Sequence, residues 1–318
     1  MIKGFCRILF MLVIAGTAFA QSYPSKPIRI VVAFPPGGPV DIVARLIAPK
    51  LQETLAQPVV VENRSGAGGN LPASQVARSP ADGYTILATS SAYAVNPSLT
   101  PNAGYEPEKD FVPIAVVAAQ PNLIVVNAAF PANSLAELLQ MARNGKLAYA
   151  SPSSGTTPHL TAENLFRVRA KVDITHVPFK GAGPAVAALL GGEPPVGCLA
   201  ASGPMANLRA GKLRALAVSS SRRLASLPDV PTLGELGFAD MEDYTWVGLF
   251  VPVGTPRDVA QKLNDAVMRA VQSADVRERL DALAFEPTAA PLRETADYVR
   301  AELVKWGKVV RDTGAKVD

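Results

Sequence analysis

The chain has 318 residues, 48% of them hydrophobic, with 31 Lys and Arg against 27 Asp and Glu, a net charge of +4, two histidines and two cysteines. A surplus this small, with no cluster of Lys and Arg, excludes a nucleic-acid footprint. The length suits two domains of about 100–200 residues each, large enough for cores that need no cross-links.

Residues 1–20 carry Lys3 and Arg7, a short apolar stretch at 8–14 and the small-x-small sequence Ala18-Phe19-Ala20, the layout of a secretory signal peptide. The expected mature protein starts near Gln21 and is a soluble protein of the periplasm, because no later segment approaches about eighteen uninterrupted apolar residues. Cleavage takes two basic residues and Cys6 with it. Cys6 does not directly follow the cleavage point, so no lipid anchor is expected, and Cys198 is left without a disulfide partner, read as a small buried hydrophobe.

Residues 28–34 read as a buried strand, and Val40, Val43, Ala44 and Ile47 have the spacing of a helix. The corner between them is Phe34-Pro35-Pro36-Gly37-Gly38-Pro39. Glycines leave the backbone open to a ligand, the following helix begins with unpaired N–H groups at the positive end of its dipole, and prolines fix the loop in advance. The corner suits an anion. Phe34, Pro36, Gly37, Gly38, Pro39, Val40 and Asp41 are therefore candidate ligand-binding residues. Phe34 reads equally as cleft wall or core, and Asp41 as a first-turn carboxylate bonding loop N–H groups or as a ligand contact. Pro49 predicts a kink or restart within the helix.

A strand at 84–88 leads into Thr89-Ser90-Ser91, a loop of small hydroxyl residues at a strand's carboxyl end, where open α/β sheets bind ligands; it adds Ser90 and Ser91. Two apolar runs, 114–126 interrupted by Gln120-Pro121-Asn122 and 246–251 followed by Pro252-Val253-Gly254, read as strands crossing between domains. On that reading residues 123–246 form one domain, and 21–122 with 247–318 form the other, with a cleft between that can close.

In the middle region the strand 147–151 runs into Ser151-Pro152-Ser153-Ser154-Gly155-Thr156-Thr157-Pro158, with Thr157 expected as the helix cap and Pro158 at the first helical position. Ser151, Ser153, Gly155, Thr156 and Thr157 offer hydroxyls and N–H groups to a ligand, or form an ordinary capped helix. His159, inside that helix, reads as a neutral packing residue or as a ligand contact. His176, in the strand 174–177, reads as a satisfied core residue. Lys180 is the one cation at a strand-end loop of this region, placed to meet a ligand carboxylate or to bridge to the other lobe. A helix with Pro184 in its first turn ends at Gly191-Gly192, and a strand at 213–218 completes an α/β alternation with mostly parallel strands. Thr255-Pro256-Arg257-Asp258, with Thr255 expected as the cap and Pro256 at the first helical position, opens a C-terminal region that is almost all helix.

Several chemistries find no motif. There is no G-x-x-x-x-G-K-[ST] and no G-x-S-x-G; Gly66-Ala67-Gly68 and Gly181-Ala182-Gly183 fail the dinucleotide fingerprint at Leu71 and Val186; and the two histidines lack cysteine partners at zinc spacing. No catalytic residue, cofactor or metal is expected.

Tyr23-Pro24-Ser25-Lys26-Pro27-Ile28-Arg29, Phe34-Pro35-Pro36-Gly37-Gly38, Val61-Glu62-Asn63-Arg64-Ser65-Gly66-Ala67-Gly68-Gly69-Asn70, Asp82-Gly83-Tyr84-Thr85, His176-Val177-Pro178-Phe179-Lys180-Gly181 and Ala210-Gly211-Lys212-Leu213-Arg214-Ala215-Leu216-Ala217-Val218, in this order, resemble the Bug family. These are extracytoplasmic solute receptors of tripartite tricarboxylate transporters. The resemblance runs from about Tyr23 to the end. It implies a type II periplasmic-binding-protein fold, with two α/β lobes, two crossovers and a ligand clasped between them. It also implies that the loops 36–40 and 151–157 act as pincers on a ligand carboxylate through backbone N–H groups and waters. Two departures stand out. Pro195-Val196-Gly197-Cys198-Leu199-Ala200 replaces a common Val-Asp-Val-Met-Phe-Asp, putting Ala200 where an acidic cleft position is usual, and Pro39-Val40 replaces a common Ser-Thr. Both remove polar groups, so Ala200 is added to the candidates and the ligand is expected to have an apolar body behind its carboxylate.

The leading expectation is thus a monomeric, non-enzymatic receptor that delivers a small organic carboxylate to the membrane subunits of a tripartite tricarboxylate-type transporter. A sensory module with the same cleft, feeding a sensor kinase or chemoreceptor, is the alternative. An exported hydrolase lacks any nucleophile and base motif.

Overall fold

The computed structural model describes residues 23–100 and 102–316; the signal-peptide reading of 1–20 lies outside them. Strand β1 (Ile28–Val32) feeds helix α1 (Pro39–Leu55), then come β2 (Val59–Asn63), α2 (Asn70–Ala77), β3 (Thr85–Ser90), α3 (Ala92–Leu99), the short α4 (Pro107–Asp110) and β4 (Phe111–Asn127). The second half continues with α5 (Leu135–Asn144), β5 (Leu147–Ser151), α6 (Thr157–Glu163, widening into a π-helix over Asn164–Arg169), β6 (Ile174–Pro178), α7 (Ala182–Gly191), β7 (Val196–Ala200), α8 (Met205–Arg209) and β8 (Leu213–Val218). The chain ends with β9 (Tyr244–Pro252), α9 (Arg257–Gln272), α10 (Ala274–Ala282), β10 (Glu286–Pro287) and α11 (Leu292–Thr313).

The strands follow the order β2-β1-β3-β9-β4-β7-β5-β6, with β8 and β10 also paired to β4. This is a two-lobed α/β fold in which β4 belongs to both lobes. From Phe111 to Pro121 it pairs antiparallel with β9; from Asn122 to Val126 it pairs antiparallel with β7, and from Leu123 to Asn127 with β8. The expected interruption at Gln120-Pro121-Asn122 is absent: the strand is continuous for 17 residues. Pro121 lacks an N–H but sits where the partners change, and its carbonyl still accepts from Ala201 N at 3.0 Å.

Strands are parallel among β1, β2 and β3 and among β5, β6 and β7, but every pairing of β4 or β9 is antiparallel, so the expected mostly parallel sheet holds only away from the crossovers. Each lobe's sheet is covered on both faces. In the first, Val43, Ile47 and Leu51 of α1 pack with Leu263 and Val267 of α9 on one side, and Trp246, Trp306 and Phe250 fill the other. Trp246 Nε1 and Trp306 Nε1 each donate to Glu302 Oε2 at 2.8 Å, tying α11 to β9. In the second lobe, Tyr149, Phe166 and Leu138 pack on one face, with Cys198 fully buried there as expected, and Leu189, Leu199 and Met205 on the other.

Local differences have local causes. Helix α1 runs through Pro49 without a restart. The cap of α6 is Thr156, one residue earlier than expected, and Pro256 rather than Thr255 caps α9. Strand β3 extends through Thr89 and Ser90, because Gly248 and Val247 of β9 pair with them. His176 is half-buried rather than core, since β6 ends the strand order; its ring stacks between Tyr149 and His159 at 5.0 and 4.0 Å.

Candidate ligand cleft

Three strand-to-helix corners meet between the lobes. They are the β1–α1 corner, with Gly38 as the cap of α1; the β5–α6 corner, with Thr156 as the cap of α6; and the β6–α7 corner, with Gly181 as the cap of α7. Phe34, Pro36, Gly38, Pro39, Val40, Ser90, Thr156, Thr157 and Ala200, all anticipated from sequence, line one cleft of about 590 Å³, including its part open to solvent. Pro35, Pro152, Pro158, Gly181, Ala182, Gly183, Pro184 and Thr245, not anticipated, complete the wall. None of these side chains is ionisable. A helix leaves its first N–H groups without intrahelical partners, so α1, α6 and α7 each present a positive end to this space. A Cβ built on Gly183 meets nothing within 4 Å and one on Gly38 meets only Pro35 O at 3.6 Å, so both glycines open the backbone to the cleft.

The other sequence candidates sit behind the wall. Gly37 holds a positive φ of 79° and its N–H donates to Asp41 Oδ2 at 2.9 Å, so it shapes the corner and is not a donor to the cleft. Asp41 is buried, accepts from Asn63 Nδ2 and Arg45 Nε at 2.8 Å each, and braces the loop. Burial works against its charge, but the Gly37 N–H, Asn63 and Arg45 outweigh it and hold the carboxyl below its usual range. Ser151 Oγ lies 2.7 Å from His176 Nε2. His159 Nδ1 accepts from Gly155 N at 3.2 Å; burial, then His176 and Arg167, push its pKa down from 6.5 to about 3, so it is a neutral packing residue. Gly155 is where the lobes touch, since a Cβ there would lie 2.2 Å from Asn96 Oδ1. Ser153 and Lys180 line a neighbouring cavity, and no described residue bridges to Lys180 from the other lobe.

The cleft floor is a directed chain of hydroxyls and amides. Thr245 Oγ1 donates to Asn122 Oδ1 at 2.8 Å, Asn122 Nδ2 donates to Thr161 Oγ1 at 2.9 Å, and Thr161 Oγ1 donates to Asp243 Oδ2 at 3.1 Å. Thr245 has one hydroxyl proton, so in the 2.7 Å contact with Thr157 Oγ1 the donor is Thr157; the same argument makes Ser91 the donor to Thr157 at 2.9 Å. Thr156 Oγ1 donates to Ser153 O. Ser90 Oγ accepts from Ala92 N at 3.2 Å and keeps its proton, the one uncommitted hydroxyl donor among the described cleft residues. Asp243 Oδ1 closes the chain against Lys305 Nζ of α11 at 3.2 Å.

The third corner carried a signal that went unread: Gly181-Ala182-Gly183-Pro184 repeats the glycine and proline device of 37–39 after a strand. Thr245 carried none, because its place depends on how β9 crosses between the lobes.

A two-lobed α/β molecule whose helix ends meet at an uncharged cleft has the architecture of a periplasmic solute-binding protein. Residues 43–315 match the Tripartite tricarboxylate transporter family receptor, and the chain belongs to that family, whose members are receptors rather than enzymes. It is 40% identical over 308 residues to Protein BugT of Bordetella pertussis, covering 96% of this chain and 94% of that one. Among solved structures, Rpa4515 of R. palustris with adipate is similar with a TM-score of 0.88 and 34% identity, over 93% of this chain and all of that one. MatC of Rhodopseudomonas palustris with bound malate is similar with a TM-score of 0.85 and 36% identity, over 91% of this chain and all of that one. Among the described residues no helix is long and apolar enough to cross a membrane.

Proposed function

We propose that this receptor captures a small organic carboxylate between its lobes in the periplasm and presents the closed form to the membrane subunits of a tripartite tricarboxylate-type transporter. The observation that carries this reading is the convergence of the α1, α6 and α7 N-termini on a cleft lined by no charged side chain. An anion is the ligand that unpaired N–H groups and three dipole ends favour, and preorganised donors hold it without a counter-charge. The bound adipate and malate of the two similar structures are of this chemistry. The wall supplies six prolines, at 35, 36, 39, 152, 158 and 184, which keep the corners rigid and leave an apolar surface for the body of the ligand.

Lobes of residues 21–122 with 247–318 and of 123–246 would hinge where β4 changes partners and where β9 begins. Ser219 ties the two crossings together: its Oγ accepts from Asn122 N at 2.9 Å and donates to Asp243 O, and its carbonyl accepts from Asp243 N at 3.0 Å. The test is a thermal-shift screen of the mature protein against mono-, di- and tricarboxylates, amino acids and aromatic acids. A ligand at a hundred times its dissociation constant adds about 2.7 kcal/mol of stability. A hit should also shrink the radius of gyration in small-angle scattering; shifts confined to cationic or neutral solutes would overturn the proposal.

A further inference from the structure

The glycine-rich turn Gly66-Ala67-Gly68-Gly69 takes no part in the cleft wall, yet it meets the loop 151–157 across the lobes. Gly68 has φ 62°, and a Cβ on it would lie 3.1 Å from Ser154 O of the other lobe. Across the seam Gly155 has φ 76°, and a Cβ on it would overlap Asn96 Oδ1 and lie 3.2 Å from Leu99 Cδ2, both of α3 in the first lobe. Asn96 stands between the two glycines. It is 2% exposed and its Nδ2 donates to Gly68 O at 3.0 Å, so its amide yields to a larger neighbour only by giving up that bond. Gly68, Asn96 and Ser154 line the cavity beside the cleft and not the cleft itself. The residue after Gly155, however, is Thr156, the cap of α6 and part of the cleft wall, so a displacement of Gly155 reaches that helix end within one residue.

We infer that Asn96 and Gly68 are positioning residues: they form the seat on which Ser154 and Gly155 come to rest, and they set how far the lobes close over a ligand they do not touch. The seam is made of backbone and one pinned amide because a side chain at either glycine would hold the lobes apart. Close-packed parts do not compress, so such a stop is sharp, and the α6 N-terminus reaches its gripping position only when the seat is filled. A receptor whose closed form is less populated binds more weakly by the same factor. The inference goes beyond the carboxylate reading, since it concerns closure and holds for whichever solute the cleft takes.

The experiment measures the distance between spin labels at Arg78→Cys and Lys146→Cys, exposed positions on the two lobes of the mature protein, by double electron–electron resonance; Cys198 is buried, which leaves these two thiols to label. Distances are recorded alone and with saturating adipate or malate, and affinities for both acids are taken by calorimetry. Wild type should show a short-distance population. Gly155→Ala should move it to longer distances, and Asn96→Ala in the same chain should return it, because strain at the positive φ is common to both backgrounds and only the collision is relieved. Either acid, where it binds, should lose about tenfold in affinity through Gly155→Ala, and about twofold or less when Asn96 is also Ala. Should Gly155→Ala fail to fold by circular dichroism, Asn96→Gln, which lengthens the amide from the other side of the seam and strains no glycine, should lengthen the distance in its place. Distances unchanged in Gly155→Ala and Asn96→Gln, or lengthened equally by Gly155→Ala with and without the Asn96 amide, overturn the seat. The expected distances with no binding of either acid would count against the carboxylate reading and leave the seat standing.

Discussion

The wall and the floor of the cleft are built on opposite principles. The wall, in the first turns that follow the caps Gly38, Thr156 and Gly181, offers backbone N–H groups that helix geometry leaves without partners. On the floor, Ser91, Thr157, Thr245, Asn122 and Thr161 pass each donor on to the next until Asp243 and Lys305. Lying beside a ligand is therefore not the same as being free to bind one: a hydroxyl whose proton is already directed elsewhere stiffens the hinge and leaves recognition to the backbone and to Ser90.

The largest effect that sharpens this contrast is expected at the wall. Gly38 has φ −82° and room for a Cβ, so Gly38→Val should fold normally and fill the space above the α1 N-terminus. Ligand affinity should fall by about a hundredfold or more with far-UV circular dichroism unchanged; undiminished affinity would break the wall's assigned role. Next comes Ala200→Asp, which places a carboxylate among apolar residues with no counter-charge in the lining. Titration should show weaker acid binding by about 1–3 kcal/mol, and an amino acid's ammonium could be favoured in exchange. Unaltered affinities for both would mean that residue 200 does not meet the ligand.

On the floor, Thr157→Val keeps the shape but leaves the buried Ser91 hydroxyl without its acceptor and Thr245 without its donor. The urea midpoint should drop by the equivalent of about 1–2 kcal/mol. An unchanged midpoint with a large loss of affinity would instead place that hydroxyl on the ligand. A pH-dependent effect lies behind the wall, at His159. Below pH 6.5 the unfolded chain takes up a proton that the folded imidazole refuses until about pH 3, so more protons bind the unfolded state and stability falls as pH is lowered through that window. His159→Gln should flatten the urea midpoint against pH over the same range; parallel curves for the two proteins would contradict a neutral His159.

What could be read from the sequence follows the same division. Glycine and proline at a strand-to-helix corner announce a backbone site because they act through local geometry, and so Gly38, Pro39, Thr156 and Thr157 could be picked out as cleft-lining positions. Strands β5 and β8 were legible in full from their apolar runs. The floor was not. Asn122 is a polar residue far in sequence from Asp243 and Thr245, and only the pairing of β4 with β9 brings them together. Pro121 misled because a proline's missing N–H breaks a strand only where a partner is needed, and β4 at Pro121 is exchanging its partners. Gly37 was misassigned for a related reason: its N–H had a taker, Asp41, four residues on.

The central claim is that uncharged backbone donors hold a carboxylate. It is tested most directly by titrating the wild-type protein calorimetrically with the tightest-binding acid from the screen and with that acid's primary amide, equal in shape but neutral. The account predicts that replacing the carboxylate by the amide weakens binding by about tenfold or more, as loss of charge-assisted hydrogen bonds at three helix N-termini requires. Equal affinity of acid and amide would contradict it.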